Sequence, residues 1–141
     1  DEDMIDNFAR NRVKFETLAK MMLTDTQGKT PFKVSQEYVT YYQSEHEFTI
    51  DEQRLTEYRE LLTELGLHSI TYYATGDGSV VMTAYAQGWS PEGGTYKGYE
   101  YFPSRLPDDR LSSVVDSLDN PSGNAWLRRK IDDNWYLWFL E

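Results

Sequence analysis

The chain has 141 residues, 27% of them charged and 39% hydrophobic, a formal net charge of -10 and no cysteine. That length fits one domain around one core, and the balance is that of a folded chain. The missing thiols exclude disulfides, thiol nucleophiles and thiolate metal sites, while the negative field disfavours nucleic acid and anionic membrane surfaces and favours solubility or a basic protein partner. Residues 1–66 carry 14 acids against 8 bases and residues 67–141 carry 10 against 6, so the acidity is spread along the chain. No run approaches the ~20 apolar residues of a membrane span. There is no signal-peptide pattern, and the start at Asp1 leads us to expect an upstream segment removed in the cell or by truncation.

In chain order, residues 3–24 read as a helix. Met4, Ile5, Phe8, Phe15, Leu18, Ala19 and Met22 fall at helical spacing, with Arg12 interrupting the stripe. Asp1, Glu2, Asp3 and Asp6 crowd its start, where the helix dipole favours anions. The cluster from Thr24 to Pro31 breaks it. Residues 32–43, with Phe32, Val34, Tyr38, Val39, Tyr41 and Tyr42, read as a strand of imperfect alternation. Residues 51–65 form the second helix, capped by Thr49 or Asp51 and closed by Gly66 at C′. Its apolar stripe is Leu55, Tyr58, Leu61, Leu62 and Leu65, and Arg54, Glu57, Arg59 and Glu60 read as a solvated face.

After Gly66 the period becomes two. Ile70 to Ala74 and Val80 to Ala86 alternate around a Gly76-Asp77-Gly78 hairpin. A turn at residues 90–94 leads to a strand at 95–102, with Tyr96 and Phe102 on one face and Tyr99 and Tyr101 on the other. A further short strand is expected at 111–118. Trp126–Ile131 and Trp135–Leu140 form a last hairpin about Asp132-Asp133-Asn134. Short turns make sequential strands antiparallel neighbours. The expected fold is therefore a single α+β domain over residues 1–141, with two helices on one face of a curved antiparallel sheet of about five strands.

Chemistry-bearing patterns are sparse. His46 and His68 have no carboxylate at ligand spacing, so no His-based metal site is expected. Asp132-Asp133-Asn134 lacks the alternation and distal Glu of a calcium loop. Asp108, Asp109 and Asp116 could pair as carboxylates, but their separation in space is not written in the sequence. The serines sit in no G-x-S-x-G context, and neither phosphate-binding glycine motif occurs. No catalytic residue, metal or cofactor is assigned. Arg128-Arg129-Lys130 is the single basic triplet and is expected to pair with local acids.

The aromatic residues carry the functional lead. Aromatics make up 15% of the chain, with 11 Tyr and 4 Trp, and the expected strands bear large residues on both faces. One helical layer covers one face only, so the surplus rings need a second cover or form a binding surface. Tyr73, Tyr85, Tyr99, Tyr101, Tyr136 and Trp138 are the candidate contact residues.

The segments Lys97-Gly98-Tyr99-Glu100-Tyr101, Val114-Val115-Asp116-Ser117-Leu118-Asp119 and Arg129 to Trp138 resemble the C-terminal half of a group of small bacterial exported proteins and lipoproteins. The resemblance covers roughly residues 66–141 and implies a bacterial source, a periplasmic or lipid-anchored location and an upstream lipidated cysteine. The group brings no assigned activity. The leading functional expectation is thus a non-enzymatic protein-binding module of the cell envelope, immunity- or inhibitor-like, facing a basic protein. A small-ligand or enzymatic domain with a pocket between helices and sheet is the alternative, and a homodimer through the sheet is the third.

Overall fold

The computed structural model describes residues 2–42, 49–90, 93–104 and 127–140, without the side chains of 85–90 and 93–95. The expected strand at 111–118, Trp126, His46, Asp108, Asp109, Asp116 and the serines at 112, 113 and 117 lie outside the described residues. Three helices and seven strands are present among those described: α1 (Glu2–Arg10), α2 (Arg12–Thr26), β1 (Phe32–Ser35), β2 (Val39–Tyr41), α3 (Glu52–Leu65), β3 (Ser69–Tyr73), β4 (Ser79–Ser90), β5 (Gly93–Tyr101), β6 (Leu127–Asp132) and β7 (Trp135–Leu140). The strands form one antiparallel sheet in the order β2-β1-β3-β4-β5-β7-β6, which is not closed. The α+β class stands. The expected two helices become three and the five strands become seven, each for a local reason.

The first helix is split at Asn11, whose backbone leaves the helical region at φ -120°, ψ 22°. Its side-chain amide donates to the Asn7 carbonyl at 3.1 Å and to Asn7 Oδ1 at 2.9 Å. Asparagine competes in this way for backbone acceptors and so interrupts helices. Arg12, just after the break, pairs with Glu16 and Asp132 and lies over the Phe8 ring. Residues 32–41 fold back on themselves because Ser35 makes a turn. Its hydroxyl accepts from the Glu37 and Tyr38 amides, and its own amide donates to the Tyr38 carbonyl. Such a hydroxyl-closed turn converts one expected strand into the β1–β2 hairpin. At the other end of the chain the β6–β7 hairpin inserts with β7 inward, so β6 lies at the edge of the sheet and β5 neighbours β7.

The caps follow the sequence. Asp51 accepts from the Arg54 amide at 2.7 Å, and Gly66 closes α3 at φ 69° with its amide on the Leu62 and Thr63 carbonyls. The face of the sheet towards the helices carries Phe32, Val34, Ile70, Tyr72, Val80, Met82, Tyr99, Trp135 and Leu137. All are buried with Phe8, Phe15, Leu18, Met22, Tyr58 and Leu62 of the helices. The rings of Phe8, Phe15, Tyr99 and Trp135 form one cluster, with centroids 4.5 to 6.4 Å apart. Aromatic pairs at such spacing add about 0.5–1.5 kcal/mol each beyond area burial.

On the face that the sequence suggests is solvated, Glu60 is exposed, but Arg54 and Arg59 turn inward. Asp25, at the end of α2, accepts from Arg54 Nε at 2.8 Å, from Arg54 Nη2 at 3.1 Å and from the buried Tyr58 hydroxyl at 2.7 Å. Arg59 donates to the Ser35 carbonyl at 3.0 Å and ties α3 to the β1–β2 turn. Burial, followed by the bond to Asp25, holds the Tyr58 hydroxyl protonated well above the usual tyrosine range. Removing the common acceptor leaves the buried Tyr58 hydroxyl without a partner and the partly buried Arg54 guanidinium with Glu57 alone. We therefore expect Asp25→Ala to lower unfolding free energy by about 2–3 kcal/mol and Tyr58→Phe by about 1 kcal/mol, read by urea denaturation. Equal losses for the two variants would show that the guanidinium arm contributes nothing.

Candidate functional site

Strand alternation separates the candidate residues cleanly. Tyr99 and Tyr101 point to the helices. Tyr99 is buried, donates to the Met4 carbonyl at 2.8 Å and belongs to the core; Tyr101 packs on Trp135 at 5.1 Å. Tyr73, Tyr136 and Trp138 lie on the opposite face, and the Tyr85 side chain is outside the described residues. Tyr136 and Trp138 are buried there, whereas Tyr73 is 41% exposed. The six candidates therefore do not make one surface.

The second face has two unlike halves. Towards β5, β6 and β7 it is covered. Tyr136 meets Phe102 edge-on at 5.4 Å, and the Arg128 guanidinium lies 5.4 Å over the Phe102 ring. Arg128 Nε donates to Glu100 at 2.7 Å. Glu100 is only 2% exposed, and burial pushes its carboxyl above the ordinary value, opposed by Arg128 and by the Ser79 hydroxyl. The Trp138 indole crosses β5 at Gly98 and donates to the Tyr99 carbonyl at 3.1 Å. A Cβ at Gly98 would meet the Met82 carbonyl oxygen and would stand 2.9 Å from the indole nitrogen. Glycine is therefore what lets the ring lie flat against the sheet.

Towards β1 and β3 the same face opens into a groove of about 560 Å³. Ser69, Thr71, Val81 and Thr83 lie on its floor, Trp138 and Leu140 wall one end, and Lys33, Tyr38 and Tyr73 stand at the other. Cross-strand register places Lys33 beside Thr71, Thr71 beside Val81, and Ser69 beside Thr83. Tyr38 is 51% exposed, with the Lys33 amine 5.5 Å from its ring centroid. Tyr42 is also exposed and sits close enough to raise the Tyr73 hydroxyl, a smaller effect there than burial. Lys33, Tyr38, Tyr42 and the groove floor carry no sequence motif. The one signal that could have found them is the alternation of polar residues along 33–35 and 69–73, read as the open face of a sheet.

On the helix side the interior is packed core. Among the described residues its rims carry clefts, one of about 320 Å³ between Arg12, Glu16, Lys20, Tyr101 and Trp135, and one of about 650 Å³ beside Met4, Asn7, Lys97 and Tyr99. No group of three or more metal-ligating residues occurs among the described residues, and no described helix is long and apolar enough to cross a membrane. No family model, no curated protein and no solved structure matches the chain.

Glu100 sets a pH dependence. Its folded-state value is raised, so the folded chain holds this proton over a pH interval where the unfolded chain has lost it. Stability falls as pH rises from the ordinary glutamate value, 4.5, through the raised one. The difference in melting temperature between the natural chain and Glu100→Gln should grow across that window and level off above it. A difference that is flat with pH would mean that burial does not govern this carboxyl.

Proposed function

We propose that this chain is a non-enzymatic binding module that recognises a protein through the open half of the sheet's second face, at the margin formed by Tyr38, Tyr42 and Tyr73. The observation that carries it is the clustering of exposed tyrosines. Among the described residues Val13 on α2 is 76% exposed, and the other exposed large hydrophobic residues are Tyr38, Tyr41, Tyr42 and Tyr73, all on β1–β3 or the segments between them, with Tyr41 packed on Phe32 at the opposite face. Tyrosine offers a large rigid contact area with a polar tip and is enriched where binding energy concentrates. The net charge of -10 favours a basic partner, whose encounter with the chain is steered by the field and slowed by salt. A location in the bacterial cell envelope agrees with the sequence resemblance of residues 66–141, and an immunity- or inhibitor-like role is the version of the reading that fits a basic partner.

Site-specific photocrosslinking in a bacterial host tests the reading. A benzophenone side chain at position 38 or 73 should yield one defined adduct, weakened by salt, and the same group at Val13 should yield none. Adducts of equal yield from all three positions, or none from 38 and 73, would overturn it. An adduct of twice the chain mass would identify the partner as a second copy bound through the sheet.

A further inference from the structure

The groove floor holds donors that the fold does not use. Among the described residues the hydroxyls of Ser69, Thr71 and Thr83 make no hydrogen bond, and the Lys33 amine pairs with no carboxylate. Among the described residues every deeply buried side-chain nitrogen or oxygen has a partner, so these hydroxyls face the open groove and not dry interior. Neighbouring polar groups are already committed. Ser35 serves the turn, and the Gln36 amide donates to the Arg59 carbonyl at 3.2 Å and to the Thr63 hydroxyl at 2.9 Å.

The groove is also polarised along its length. Lys33 and Thr71 are register partners at the β1–β3 end. Val81, on the floor beside Thr71, leads to a mainly apolar far end of Leu140 and the Trp138 ring, whose indole N–H donates to the Tyr99 carbonyl, with Tyr96 beside Leu140. Four inter-strand steps of about 4.8 Å separate β1 from β7, so the two ends stand about 19 Å apart at backbone level. The lining carries one lysine, one histidine (His68) and one carboxylate (Glu37), in a chain with 24 acids and 14 bases. Its charged groups balance, one lysine against one carboxylate, in a chain whose net charge is -10.

We infer that the groove binds an amphipathic organic acid. The carboxylate accepts from the Lys33 amine and the Thr71 hydroxyl, and an aliphatic or aryl-alkyl body lies along Val81, Trp138 and Leu140. Charge-assisted bonds to a carboxylate are the stronger kind, and an apolar wall with a few convergent donors is the usual build of a small-molecule site of this volume. The inference does not rest on the protein-contact reading and is tested on the purified chain with defined probes.

Decanoate and its uncharged counterpart decanamide are titrated by calorimetry, with the Trp138 indole N–H followed by NMR. A peptide ending in leucine is compared as free acid and as amide. The acid forms should bind at least about tenfold more tightly than the amides and shift the Trp138 resonance. A peptide acid tighter than decanoate assigns the carboxylate to a chain terminus; the reverse order assigns it to a small acid. Lys33→Met should lose about tenfold in decanoate affinity with decanamide unchanged, Lys33→Arg should retain it, and Thr71→Val, which keeps shape, should lose several-fold. Acid and amide binding alike, an unmoved indole, full decanoate affinity in Lys33→Met, or no binding of any acid at millimolar concentration would each overturn the inference.

Discussion

The cluster of Phe8, Phe15, Tyr99 and Trp135 is the contact on which the remaining architecture depends. It joins α1, α2, β5 and β7, four elements brought together from both halves of the chain. Phe8 and Phe15 stand seven residues apart, two helical turns, so one face of α1–α2 presents both rings to the sheet despite the break at Asn11. Tyr99 and Trp135 occupy helix-facing positions of adjacent strands. Once these rings pack, alternation dictates where every other side chain on those strands must point. Glu100, Tyr136 and Trp138 are placed on the second face by that geometry, and a shift of one residue in register would exchange the two sets.

The second face then has to accommodate large side chains without a helical layer among the described residues. Two devices do this at the β5–β7 half. The indole of Trp138 lies flat because residue 98 has no Cβ, and Glu100 is neutralised in place by Arg128 beneath the Phe102 ring. At the β1–β3 half no such cover exists among the described residues, and small hydroxyl side chains replace rings on the floor. The contrast between a sealed half and an open half is what creates a groove with ends of different polarity.

Much of this was legible in the residues. The period change after Gly66, the Gly76-Asp77-Gly78 hairpin, the Asp51 and Gly66 caps and the last hairpin all follow from local chemistry, and the structure has them. The surplus of rings on both faces was legible too, because strand alternation needs no tertiary knowledge. What escaped depended on contacts distant in sequence. The split at Asn11 turns on one amide reaching back four residues. The clamp on Asp25 joins side chains about 30 positions apart, so Arg54 reads as a surface charge until α2 and α3 are docked. The groove was hidden because its hydroxyls are ordinary strand residues. Among the described residues, the absence of a layer above them is what leaves them lining a groove. Tyr99 was the misleading case: a tyrosine flanked by other aromatics suggests a surface contact, whereas its hydroxyl is anchored on the Met4 carbonyl inside the core.

The strand order has a kinetic meaning. Four of its six pairings are hairpins between consecutive strands and close locally. The other two seams, β1 against β3 and β5 against β7, are not: their nearest paired residues, Ser35 with Ser69 and Tyr101 with Trp135, lie roughly 34 positions apart. Loop-closure entropy falls on those two seams alike, and the helical layer bridges both, with α3 crossing one and the Phe8–Trp135 contact gripping the other. Loop-closure entropy therefore predicts that these two seams zip last, after the local hairpins. Until they do, the edges of β3 and β5 are bare, and the nascent chain is most exposed to wrong pairing along the strand that carries Gly98.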